Sequence, residues 1–138
     1  MFAPGVEEYA TRLGHYAKFS LQEIAPSRKS GALAREEEGR ALLAALKRDE
    51  SLIALDERGD LLGSVEFARE VLGRAQQRAR DLVFVVGGDE GLSPEVRERA
   101  ERTVSLSKMT LPHRLARLVL VEQIYRGFTL LKGEPYHK

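Results

Sequence analysis

Three short stretches carry residue types whose spacing can do chemistry: Gly87-Gly88-Asp89-Glu90-Gly91, Ser107-Lys108-Met109-Thr110-Leu111-Pro112-His113, and Pro135-Tyr136-His137-Lys138. In the first, the glycines let backbone amides come close to a ligand, because no Cβ intervenes and positive φ is open to them. The spacing is neither the dinucleotide Gly-x-Gly-x-x-Gly nor a phosphate loop with its lysine. It also describes a tight strand-to-helix turn. In the second stretch, backbone donors at a helix start can bind acceptors, and a histidine there is a candidate proton carrier. It equally describes a capped helix with an exposed histidine. In the third, an aromatic ring, an imidazole and an ammonium group can fold over a site, or fray as chain ends usually do.

No His, Asp and Glu cluster has metal-ligand spacing, and no serine stands in Gly-x-Ser-x-Gly. No metal is expected, and chemistry would come from a bound cofactor. The 138 residues suffice for one domain with one core. The absence of cysteine excludes disulfides and thiolate metal sites, which fits a reducing compartment and makes the cytoplasm the default. The longest apolar candidate, Leu115 to Tyr125, is broken by Arg117 and Glu122, so no membrane span is expected. Glu7 and Glu8, with no apolar run near them, give no signal-peptide pattern. A net charge of +1 argues against gripping nucleic acid by bulk electrostatics alone. Residues 1–69 hold ten Lys and Arg against twelve Asp and Glu, and residues 70–138 hold twelve against nine. So small an asymmetry is merely compatible with an anionic partner near the C-terminal half.

The elements that must position these stretches alternate in type. Helices are predicted over Gly5–Phe19, Ala32–Lys47, a Ser64-capped segment to about Leu72, a segment opened by Ser93-Pro94, and Pro112 to about Phe128. Strands are predicted over Phe19–Ile24, Ser51–Leu55, Leu82–Val86 and Thr103–Leu106. The turn Asp56-Glu57-Arg58-Gly59 closes the second of these strands. This order predicts an α/β fold with a mainly parallel sheet, whose ligands gather at the carboxyl ends of the strands. Loops 87–91 and 106–111 both leave such ends. The last helix is apolar over much of its circumference, from Leu115 to Phe128, which calls for burial against two surfaces. The second surface reads as a partner chain, making this helix a homodimer interface.

Taken in order, five motifs resemble the RlmH family of the SPOUT superfamily, the 23S rRNA pseudouridine N3-methyltransferases. They are Leu55-Asp56-Glu57-Arg58-Gly59, Phe84-Val85-Val86-Gly87-Gly88-x-x-Gly91-Leu92, Leu106 to His113, Leu118 to Arg126, and Pro135-Tyr136-His137. The resemblance is strong from about residue 51 onward and weaker before it, where Val6-Glu7-Glu8-Tyr9 and Arg12-Leu13 still fit. It implies a SPOUT-type domain over residues 1–138 with a C-terminal trefoil knot in about 82–138, a rare exception to unthreaded topology. It implies S-adenosylmethionine held by Leu55, Gly87, Gly88, Leu106, Ser107, Lys108, Met109, Thr110 and Leu111. It further implies a homodimer through the last helix and 23S rRNA in the assembled ribosome as substrate. His113, Arg117 (one turn later on the same face), Tyr136 and His137 are expected on the substrate side, where N3 attacks the sulfonium methyl.

Against the family pattern, the usual first strand and its short basic loop are expected to be missing. Asp89 stands where proline or a small residue is usual, and Gly127 where alanine is. Two other functions compete. One is a SPOUT methyltransferase acting on a tRNA base, against which the Pro135-Tyr136-His137 tail and the small size argue. The other is a non-catalytic ribosome-binding paralogue.

Overall fold

Two apolar runs become the strands at the heart of the molecule. The structure, a computed structural model, describes residues 2–20, 27–87 and 91–137. Strand β1, Glu50–Leu61, and strand β2, Asp81–Val86, pair in parallel from Glu50 opposite Asp81 to Leu55 opposite Val86. Strand β3, Arg102–Ser105, runs parallel along the other side of β1, giving the order β2-β1-β3. The helices are α1 (Ala3–Leu13), α2 (Gly31–Ala45), α3 (Ser64–Phe67), α4 (Arg74–Gln77), α5 (Pro94–Arg99) and α6 (His113–Leu131). Ala68–Gly73 is π-helical and joins α3 to α4 in one rod. The fold is α/β with a small parallel sheet, as the alternation of elements predicts.

Residues 51–55 are buried at every position, which is why that run is apolar almost throughout rather than alternating. The side chains divide between two faces. Ile53 and Leu55 join Phe67, Val71, Leu72, Val104 and Leu120 in one cluster. Leu52 and Ala54 join Leu92 and Val96 in the other. Helices α1 and α6 and the π-helical rod cover the first face, while α2 and α5 cover the second. The two surfaces expected around α6 are therefore both found within this chain: α1 on one side, α3 and the π-helical segment on the other.

Several boundaries differ from expectation, each for a physical reason. The first helix stops at Leu13 rather than Phe19: Gly14 follows, and Tyr16 leaves the helical path to stack on Phe128 at 5.9 Å. Of the strand expected over Phe19–Ile24, Phe19 and Ser20 are not in a strand, and residues 21–26 lie outside the described residues. Ser64 is not a cap. Gly63 holds that position, its N–H donating to Glu66 Oε1 at 3.0 Å, while Ser64 Oγ donates to Gln123 Oε1 of α6 at 2.6 Å. That helix, expected to end near Leu72, continues through its π-helical segment to Gln77. Strand β3 begins and ends one residue earlier than expected. Helix α6 runs three residues further, to Leu131. Ser93 does cap α5, its Oγ accepting from the Val96 N–H at 3.3 Å.

The Asp56–Gly59 turn does not end β1. Leu55 and Asp60 both pair with Val104, so four residues loop out and the strand resumes to Leu61 opposite Ser105. Gly59 permits this excursion, since a Cβ there would stand 2.7 Å from the carbonyl carbon and oxygen of Thr103. Backbone cannot swing aside as a side-chain end can. Gly59→Ala is expected to destabilise the fold by about 1–3 kcal/mol, as overpacking does, read as a lower urea midpoint at unchanged slope.

Candidate active site at the carboxyl edge of the sheet

Parallel strands run out at a common edge, and the register here aligns Leu55 with Val86 on one side and Val104 on the other. Gly87 follows Val86, and Leu106 follows β3. Leu55, Gly87 and the stretch Leu106 to Leu111, expected to hold a cofactor, thus leave one edge of the sheet. Ligands collect at such edges because the strand ends leave a crevice bounded by loops. Gly88 lies outside the described residues.

The loops at this edge are tied to one another. A Cβ on Gly87 would lie 3.0 Å from the carbonyl carbon of Gly91, and Gly91 itself has φ +79°. Glycine at 87 and at 91 lets the two backbones approach this closely, so a tight turn alone accounts for them. After β3, Ser105 Oγ donates to the Ser107 carbonyl at 2.8 Å, and the Met109 N–H donates to Ser107 Oγ at 2.9 Å. Thr110 Oγ1 then donates to Glu57 Oε2 at 2.7 Å, linking this loop to the excursion after Leu55. Within that excursion Arg58 donates to both Asp56 carboxylate oxygens at 3.0 Å and holds the Asp56 carboxyl below its usual range.

Leu55 is buried, Leu106 and Leu111 are half-buried, Lys108 is exposed, and Met109 is 77% exposed. Apolar side chains beside backbone and hydroxyl groups suit a flat heteroaromatic ligand with a polar rim. Among the described residues no group of three or more His, Asp or Glu is placed to hold a metal ion. No helix among them is long and apolar enough to cross a membrane.

His113 opens α6 and Arg117 follows one turn later on the same face. Tyr136 and His137 lie elsewhere. The tail folds back on α1 and α6, where the Tyr136 and Tyr9 hydroxyls are 3.2 Å apart and the Tyr136 ring meets Tyr125 edge-on at 4.8 Å. Arg126 lies over the Tyr136 ring at 4.8 Å and donates from Nη1 to His137 Nδ1 at 3.0 Å. Its Nε donates to Glu122 Oε1 at 2.7 Å. Tyr16 hydrogen-bonds Glu134 just before the tail turns, and that bond pushes the Tyr16 phenol up to about 12. Nine residues separate Arg117 from Arg126, about 13 Å along a helix and half a turn around it. His113 and Arg117 therefore lie at the start of α6, while Tyr136 and His137 dock about two turns further along it, against Tyr125 and Arg126.

The tail is thus docked rather than frayed. The residues that dock it, Tyr9, Tyr16, Glu122, Tyr125 and Arg126, were not among those expected to matter at the site. One local signal existed: Glu122 and Arg126 are an i, i+4 pair on a helix face. The long-range partners had none.

The family described as "Predicted SPOUT methyltransferase" matches residues 1–137. A ribosomal RNA large subunit methyltransferase H of Anaeromyxobacter sp. (strain Fw109-5) is 56% identical, covering 100% of this chain and 91% of that protein. A protein of the same name from Anaeromyxobacter dehalogenans (strain 2CP-C) is 53% identical over the same shares. Another, from Geotalea daltonii, is 43% identical over 96% of this chain and 88% of that protein.

Burial, with help from the Tyr9 hydroxyl, pushes the Tyr136 phenol up to about 12. A raised phenol means the docked tail favours the neutral form. The resulting stabilisation is complete below the ordinary value near ~10 and is lost as pH rises through about 12. Tyr136→Phe is expected to remove one late-ionising phenol from the alkaline ultraviolet titration.

Proposed function

The chain belongs to the SPOUT methyltransferase family, and from that premise we propose that it methylates N3 of a pseudouridine in 23S rRNA on the assembled ribosome. The observation that carries this reading is the 56% identity, over the whole chain, to a protein named ribosomal RNA large subunit methyltransferase H. The meeting of Leu55, Gly87 and the 106–111 loop at one sheet edge supports it. Those residues, with Gly88, would hold S-adenosylmethionine, which supplies an electrophilic sulfonium methyl when bound. Leu55, Leu106, Met109 and Leu111 offer apolar contact, and Ser107 and Thr110 offer polar groups, with Lys108 at the rim. The chain is read as one domain over 1–138, with a trefoil knot in about 82–138. Work on ribosomes puts it in the cytoplasm.

His113, Arg117, Tyr136 and His137 form the substrate side in this reading, and it requires two copies. One chain holds the two pairs about 13 Å apart along α6. A homodimer through α6, where Leu115, Val119 and Leu130 remain half-buried, lets one copy's tail meet its partner's helix start. Such a site orients N3 and excludes water, contributions that come from positioning rather than from new bonds. Net charge +1 suits an enzyme that recognises an assembled particle rather than free RNA.

Incubation with methyl-labelled cofactor and undermethylated ribosomes is expected to place label on one pseudouridine of 23S rRNA. Label in tRNA instead, or no cofactor binding by the folded protein in calorimetry, would overturn the proposal in favour of the tRNA enzyme or the non-catalytic paralogue. For the dimer, Arg117→Ala and His137→Ala are each expected to be inactive. Subunit exchange between them should regain activity, because one site of each mixed dimer is intact.

A further inference from the structure

The contact between Arg126 and His137 fixes which hydrogen-bonding role the histidine can play. A guanidinium has five N–H donors and no acceptor. Its Nη1 stands 3.0 Å from His137 Nδ1, so Nδ1 must present its lone pair. The neutral ring then carries its proton on Nε2. Arg126 has little freedom to withdraw: its Nε is held by Glu122 Oε1 at 2.7 Å, and its face lies on the Tyr136 ring. Glu122 is anchored in turn, since its Oε2 accepts from Gln123 Nε2 at 3.1 Å. Gln123 Oε1 accepts from Ser64 Oγ at 2.6 Å. A line of polar side chains from the start of α3 thus ends on one ring nitrogen of the tail. The other, Nε2, has no partner among the described residues.

We infer that Arg126 is the positioning residue that holds His137 as the Nε2–H tautomer, so that His137 meets the substrate base as a hydrogen-bond donor and not as its proton acceptor. This rests on the methyltransferase reading and deepens it. In a uracil-type base the two carbonyl oxygens flank N3, and negative charge collects on them as N3 loses its proton. A fixed N–H aimed at such an oxygen stabilises that charge without reorganising. The acceptor of the N3 proton is then another group.

The test has two arms. Long-range proton–nitrogen NMR of the wild-type protein is expected to find the His137 proton on Nε2. The preference should vanish in Arg126→Leu and return in Arg126→Lys, whose ammonium also only donates. A proton on Nδ1 in the wild type overturns the inference, as does a tautomer indifferent to residue 126. In the ribosome assay His137→Ala is expected to lower kcat about 10²–10³-fold, as removal of one such donor does. His137→Gln keeps a donor near Nε2 but cannot take a proton, and should recover at least about tenfold of that loss. Arg126→Leu should lower kcat at unchanged KM for the cofactor. Glutamine as impaired as alanine, in a protein with wild-type melting, overturns the donor role. No methyl transfer by the wild type overturns the methyltransferase reading itself, while the NMR arm still decides the Arg126 contact.

Discussion

The fold is arranged around residues 51–55 of β1 being buried on both faces and paired on both edges. A strand in that position takes hydrogen bonds from β2 and β3 at once, and its alternate side chains key two separate clusters. Leu52 and Ala54 fix α2 and α5, whereas Ile53 and Leu55 fix α1, α6 and the π-helical rod. Because both pairings are parallel, the same register that builds the core also sets Leu55 between Val86 and Val104. The candidate site is therefore not an addition to the fold. It is where the central strand's first pairing segment runs out.

Loops leaving such an edge would wander without cross-links, and three small devices hold them. Arg58 clamps Asp56, Thr110 reaches Glu57, and Gly59 lets the excursion return against the Thr103 backbone. The docked tail is held differently, by rings. Tyr9, Tyr125 and Tyr136 interlock, and the Arg126 guanidinium covers the last of them. Aromatic contacts of this kind add roughly 0.5–1.5 kcal/mol each beyond the area they bury. Together with the area they bury, they offset part of the chain entropy that would otherwise free a short tail.

How much of this was legible in the sequence depended on how local each cause was. The runs 51–55 and 82–86 were readable because burial on both faces leaves no polar alternation to mislead. Ser93 was readable as a cap because its partner lies three residues away. The resumption of β1 after Gly59 was not, since its cause is the backbone of Thr103. Ser64 has every local attribute of a cap, yet its hydroxyl is used by Gln123, and Gly63 does the capping. Tyr16 fits helical spacing but serves Phe128 after the helix has ended. The width of α6 was read correctly as needing two surfaces, and both proved to be internal. Of the four residues expected on the substrate side, sequence could pair His113 with Arg117. It could not foresee that the tail would settle about two turns further along the same helix, on Tyr125 and Arg126.

The hydroxyl contact between Tyr9 and Tyr136 joins residues 127 positions apart. Helices α1 and α6 already meet in the core cluster, so this contact closes only the short segment that follows α6. The sheet and its two clusters can be complete while the tail is still free. The tautomer of His137 is therefore set at the final stage of folding, by a helix already in place. A chain whose synthesis stops short of Pro135 would acquire its core and its strand edge yet leave Tyr9, Tyr125 and Arg126 uncovered.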